Sequence, residues 1–126
     1  MYEVRRRSKQ AWHPSPEVAT AFRQLYIVSS AAAQLGGYAL EVPEQQWRAL
    51  VECTERAKTI LQHEPVDETD LGAALWRLLH TCEYVVELYV AGRVCPPAAW
   101  REAGTLGREA DSYLDETASR HREANS

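Results

Sequence analysis

The stretch HTCEYVVE puts His80, Glu83 and Glu87 at spacings of three and four, which lines imidazole and carboxylate groups along one stripe of a helix, the raw material of a metal centre. A metal site in a helical bundle also needs ligands from facing helices, typically a repeated Glu-x-x-His, and that order occurs nowhere in the chain. The other histidines, His13, His63 and His121, fall in the N-terminal arm, at a helix end and in the tail. Arg77 continues the stripe opposite a leucine-rich face, so the expectation is an exposed charged face with no metal and no cofactor. Nucleophilic chemistry has no better footing: there is no Gly-x-Ser-x-Gly, and the glycines of QLGGY follow a helix instead of opening one around a phosphate. Cys53, Cys82 and Cys95 are an odd set with no close pair, which argues against a disulfide framework or a zinc knuckle and fits a reducing compartment. Cys53 and Cys82 are expected to act as small apolar residues of the interior.

Arg56 is followed by six residues and then His63. That spacing resembles the signature of HEPN ribonucleases, which are small helical bundles, and the resemblance covers these two residues only. It implies RNA cleavage in which the arginine stabilises phosphate charge and the histidine moves a proton. Ala57 stands where that family favours a polar residue, and Glu52, Glu55 and Glu64 would repel a phosphate backbone. The competing reading is a helix C-terminus at which His63 suits the dipole. No catalytic residue is assigned, and the chain is expected not to be an enzyme.

Charge is distributed unevenly. Residues 1–16 carry Arg5, Arg6, Arg7 and Lys9 against Glu3, a net +3, whereas the remainder carries ten basic and seventeen acidic residues, a net −7. A uniformly basic domain would point to nucleic acid directly, and this chain does not qualify. The arm suits an anionic partner: its cations could neutralise phosphates and Trp12 could stack on a base, within an assembly that supplies more positive surface. A solvated terminus is the plainer alternative. Of the four tryptophans, Trp47 and Trp100 lie on apolar faces and read as core. Trp12, Trp76 and Arg77, with Tyr26 or Tyr38 near them, are the candidate partner surface, because aromatic residues and arginine dominate interface hot spots. Trp12 reads equally well as a staple that packs the arm onto the bundle.

The elements that position these residues follow from periodicity and punctuation. Ser15-Pro16-Glu17 is an N-cap, a first-turn proline and a first-turn acid, and it opens a helix with Val18, Phe22, Leu25, Val28, Ala32 and Leu35 on one face, ending near Gly36-Gly37. Pro43-Glu44 opens a second, with Trp47, Leu50, Val51, Thr54, Ala57, Ile60 and Leu61, stopped by Pro65. A third starts between Asp67 and Asp70, carries Leu71, Leu75, Leu78, Cys82, Val85 and Tyr89, and closes at Gly92. A fourth starts at Pro96-Pro97 and carries Trp100, Ala103, Leu106, Ala110, Tyr113 and Leu114. No strand signal competes. The expected fold is all-α: an antiparallel four-helix bundle made of two αα-hairpins over residues 16–118, with a basic arm at 1–15 and a polar tail at 119–126.

A shift of 53 positions superimposes Ala21 on Ala74, Leu25 on Leu78, Leu35 on Leu88, Pro43 on Pro96, Trp47 on Trp100, Arg48 on Arg101, Ala57 on Ala110 and Leu61 on Leu114. Two related hairpins would give this echo, and so would any two helices opened by proline and anchored by an early tryptophan.

The uncharged run from Leu25 to Leu40 is too short to span a bilayer, so no membrane association is expected and the location is read as cytoplasmic. Abundant Ala and Arg beside two Ile, two Lys and one Asn look like a GC-rich bacterial or phage gene. Size and fold class are similar to the small helical subunits of CRISPR ribonucleoproteins, an analogy without a motif. The expectation is a non-catalytic small subunit or adaptor of a larger assembly, of protein or of nucleoprotein, with a protein partner. A free-standing inhibitor, antitoxin or immunity protein whose acidic faces cover a basic site is the alternative, and the ribonuclease of Arg56 and His63 the third.

Overall fold

The computed structural model describes residues 12–66 and 69–124, with side chains as far as Arg120. The arm cations Arg5, Arg6, Arg7 and Lys9 lie outside the described residues. Four helices account for nearly all of the chain: α1 (Pro16–Gly36), α2 (Glu44–Gln62), α3 (Asp70–Val90) and α4 (Pro97–Ala124). Among the described residues there is no strand, and no helix is long and apolar enough to cross a membrane.

The helix starts obey local chemistry. Ser15 Oγ accepts the Val18 amide at 3.2 Å, and Thr69 Oγ1 accepts the Gly72 amide at 3.2 Å, each satisfying a donor that the first turn leaves without a partner. Pro43 precedes α2 without a side-chain cap. Short turns return each helix alongside its predecessor, and the four stand in a ring: α1 packs on α2 and α4, and α3 packs on α4 and α2, the α2–α3 pair being the loosest. The core is the apolar stripe of every helix: Val18, Phe22, Leu25 and Ala32; Leu50, Ala57 and Leu61; Leu71, Leu75, Leu78, Leu79, Cys82 and Val85; Trp100, Ala103, Ala110 and Leu114. Buried apolar area of this kind supplies the main driving force of folding.

The 53-residue echo extends to the backbone. The Leu40 amide donates to the Leu35 carbonyl at 2.9 Å, and the Arg93 amide donates to the Leu88 carbonyl at 2.8 Å. Ala39 donates to Gly36 and Gly92 donates to Tyr89, both at 3.0 Å. Ala39 (φ 61°) and Gly92 (φ 70°) are the two positive-φ residues among those described, and they too are 53 apart. Buried positions follow the same register. Val18, Ala21, Phe22, Leu25, Ser29 and Ala32 of α1 correspond to Leu71, Ala74, Leu75, Leu78, Cys82 and Val85 of α3, and Leu50, Thr54, Ala57 and Leu61 of α2 to Ala103, Gly107, Ala110 and Leu114 of α4. The fold is two equivalent αα-hairpins packed face to face.

One expectation needs correction and another needs detail. The segment expected as a polar tail from residue 119 is helical as far as Ala124, because it lacks Gly and Pro and its Arg120 pairs with Glu116 one turn earlier at 2.9 Å. The stripe of Arg77, His80, Glu83 and Glu87 faces solvent as expected, exposed at all but the half-buried Glu83, and it runs obliquely. Each three-residue step turns 60° short of a full circle, so the row winds round α3. Arg77 therefore pairs with Glu109 of α4, whereas Glu83 pairs with Lys58 of α2 at 3.3 Å.

Candidate functional site

The end of the bundle that carries the two equivalent turns, residues 37–43 and 91–96, holds an aromatic cluster. Trp47 stacks on Tyr89 with ring centroids 4.4 Å apart and planes 10° from parallel, and Trp100 leans on Trp47 at 5.1 Å. Above these rings is a cavity of about 550 Å³, lined also by Leu40, Val42, Val94 and Cys95 and edged by Glu41, Glu44 and Arg93. Leu40 is 57% exposed and Val94 89% exposed; Val90, the last residue of α3, is 75% exposed. Large apolar side chains so exposed, gathered over an aromatic floor, make this end the candidate contact surface.

The two flanks of the bundle are built alike and differ in closure and charge. On the α1–α4 side, small residues let the helices approach: a Cβ on Gly107 would stand 2.7 Å from the Tyr26 ring, and Gly104 faces the Ala33 methyl. On the α2–α3 side, the corresponding positions are Val51 and Thr54, and the seam stays open. Its groove encloses about 350 Å³ and is lined by Thr54, Lys58, Gln62 and the carboxylates of Glu55, Glu83 and Glu87. The buried Thr54 hydroxyl has no hydrogen-bond partner among the described residues. The α1–α4 flank carries a cavity of about 410 Å³ whose charged lining is Arg101 and Arg108.

The residues singled out in the sequence are dispersed. Trp12 is half-buried against the core and, with Asp70, Tyr113 and Arg120, lines a cavity of about 440 Å³ at the end opposite the turns. Trp76 is partly buried on α3 with its ring 5.5 Å from His80, and Arg77 is tied to Glu109. Tyr38 is at the turn end and Tyr26 lies in the α1–α4 seam, so no single edge joins Trp12 to Tyr38. Arg56 donates to Gln24 of α1 at 3.3 Å, and His63 is the exposed C-cap of α2, about two helical turns away. Among the described residues no group of three or more His, Cys, Asp or Glu is placed to hold a metal ion.

The thiols are placed for packing. Burial pushes Cys82 up to about 12, partly offset by a hydrogen bond with Ser29, and burial pushes Cys95 up to about 11. Cys53, half-buried where full burial was expected, is also raised, by burial first, against the lowering effect of Arg56. Thiols held protonated at neutral pH are poor nucleophiles.

Sequence reasoning missed the turn-end surface and the Arg101–Arg108 flank. The signal was present in the echo itself: Arg108 matches Glu55, and Ser30 and Gln34 match Glu83 and Glu87, so equivalent positions had diverged in charge.

No protein-family model matches the chain, and neither the curated proteins nor the solved structures contain a match to it. Function is therefore read from geometry.

Proposed function

We propose that the chain is a non-catalytic interaction protein, a small subunit or adaptor that docks on a protein partner through the turn end of the bundle. The observation that carries this reading is the exposure of Leu40 and Val94 in the lining of the cavity floored by Trp47, Tyr89 and Trp100. A partner that presents an apolar side chain flanked by a basic residue fits both the aromatic floor and the carboxylate of Glu41 at the edge, Glu44 being paired with Arg48. The acidic α2–α3 groove favours, as a second reading, a free-standing inhibitor-type protein that covers a basic site on an enzyme. Either role needs no chemistry from the chain. The anionic contact expected of Arg5, Arg6, Arg7 and Lys9 would be made within the assembly so formed.

The test is a comparison of the tagged wild type with the Leu40→Glu/Val94→Glu variant in the cells that express it. Both substitutions fall on exposed side chains, so the bundle is expected to stay folded. The reading requires a stoichiometric protein partner with the wild type and at least tenfold less with the variant; equal recovery with both would refute the turn-end surface.

A further inference from the structure

The cavity on the α1–α4 flank is lined by Ser30, Gln34, Tyr38, Arg101, Thr105 and Arg108. Both of its charges are positive, in a chain that is −7 beyond residue 16. The repeat shows how local this inversion is, since the corresponding flank places Glu83, Glu87 and Glu55 where this one has Ser30, Gln34 and Arg108. Arg101 Nε donates to the Gly37 carbonyl at 3.0 Å, which fixes the guanidinium and leaves its terminal N–H groups for another acceptor. Arg108 is two turns further along the same stripe of α4, about 10 Å away, and makes no ion pair among the described residues. Ser30, Gln34 and Thr105 contribute neutral hydrogen-bonding groups around the two arginines. Tyr38, at the rim, is 77% exposed.

We propose that this groove binds a nucleotide unit, its phosphate held by Arg101 and Arg108 and its base stacked on Tyr38. A planar guanidinium recognises phosphate through paired N–H donors, and an exposed aromatic ring beside a positive groove is how proteins hold single-stranded nucleic acid without reading its sequence. A duplex does not fit, because its bases offer Tyr38 no free face and the acidic remainder of the bundle repels a second backbone. The site adjoins the turn-end cavity through Trp100, but Arg101, Arg108 and Tyr38 do not line that cavity, so the proposal does not rest on the docking reading.

The ligand chemistry has two sources, a free nucleotide and a nucleic-acid strand. The probes are a labelled oligodeoxythymidylate dodecamer, thymidine monophosphate and inorganic phosphate, titrated at about 50 mM salt, where phosphate contacts are strong. The protein is the full chain with Arg5, Arg6, Arg7 and Lys9 changed to Ala, which removes the arm as a competing cationic site. Saturable binding is expected, weakened at least tenfold by Arg108→Glu and about tenfold by Tyr38→Ala, with circular dichroism unchanged because both side chains are exposed. If the monophosphate binds as well as the dodecamer and responds to both variants, the ligand is a free nucleotide; if it binds far more weakly, the ligand is a strand. Inorganic phosphate competing as well as the monophosphate would remove the base contact and overturn the proposal. So would binding that ignores Arg108→Glu, or no binding once the arm is neutralised.

Discussion

Trp47 lies flat on Tyr89 at 4.4 Å, and this contact has a counterpart at the other half of the bundle. Adding 53 to 47 gives Trp100, subtracting 53 from 89 gives Gly36, and Trp100 packs so closely on Gly36 that a Cβ there would fall 2.2 Å from the indole. In each half, the tryptophan that opens the second helix rests on the last turn of the first helix of the other half. The two contacts cross-brace the hairpins at the turn end and build the floor of the turn-end cavity.

The brace predicts that Gly36→Ala is costly. Its methyl overlaps a large buried ring, so destabilisation of about 1–3 kcal/mol is expected. Gly104→Ala is the control: its Cβ would meet the Ala33 methyl at 3.7 Å, an ordinary contact, and the gain in helix propensity should leave it neutral or slightly stabilising. Urea unfolding of both variants checks the pair, and equal stabilities would contradict the packing described.

The equivalent turns predict opposite effects of glycine exchange. Ala39 holds a left-handed conformation that costs a side-chain-bearing residue about 1 kcal/mol, and Gly92 holds it at little cost. Ala39→Gly should therefore raise the thermal midpoint by a few degrees and Gly92→Ala should lower it by a similar amount.

Cys82 predicts an alkaline limit to stability. Its folded pKa is raised from the ordinary 9.0 to about 12, so between those values the unfolded chain releases a proton that the folded chain keeps. Stability from this group is fully present below pH 9 and declines as pH rises through 12, by an amount of order 4 kcal/mol. Cys82→Ala should be less stable at neutral pH through lost packing, yet should show a flatter loss between pH 9 and 12. An unchanged alkaline slope in that variant would assign the loss to other groups.

Non-catalytic function predicts that Arg56→Ala and His63→Ala change nothing in an RNA-cleavage assay. Loss of cleavage in either variant, with the fold intact by circular dichroism, would restore the ribonuclease reading.

The helices were legible because Ser15-Pro16, Pro43 and Pro96 punctuate the chain and the apolar period matches the helix. The end of α4 was not, since a polar Ala-, Glu- and Arg-rich run lacks the apolar signal of a packed helix while keeping the propensity and ion pairs of a solvated one. The repeat was visible only as eight identities, because its strongest evidence is conformational: Ala39 gives no hint in sequence that it shares the left-handed geometry of Gly92. The proposed docking surface was hidden for a related reason. Leu40, Val90 and Val94 are ordinary apolar residues whose meaning comes from exposure, and exposure depends on which turns meet at one end.

The most direct test of the central claim is the native mass of the protein recovered at low salt from the cells that express it, measured with and without nuclease for the wild type and for Leu40→Glu/Val94→Glu. The account predicts a wild-type complex that contains a second protein and persists after nuclease, and a variant that runs near its own 14.3 kDa. A wild type that is already a lone 14.3 kDa species, or a variant that keeps the full complex, would contradict it.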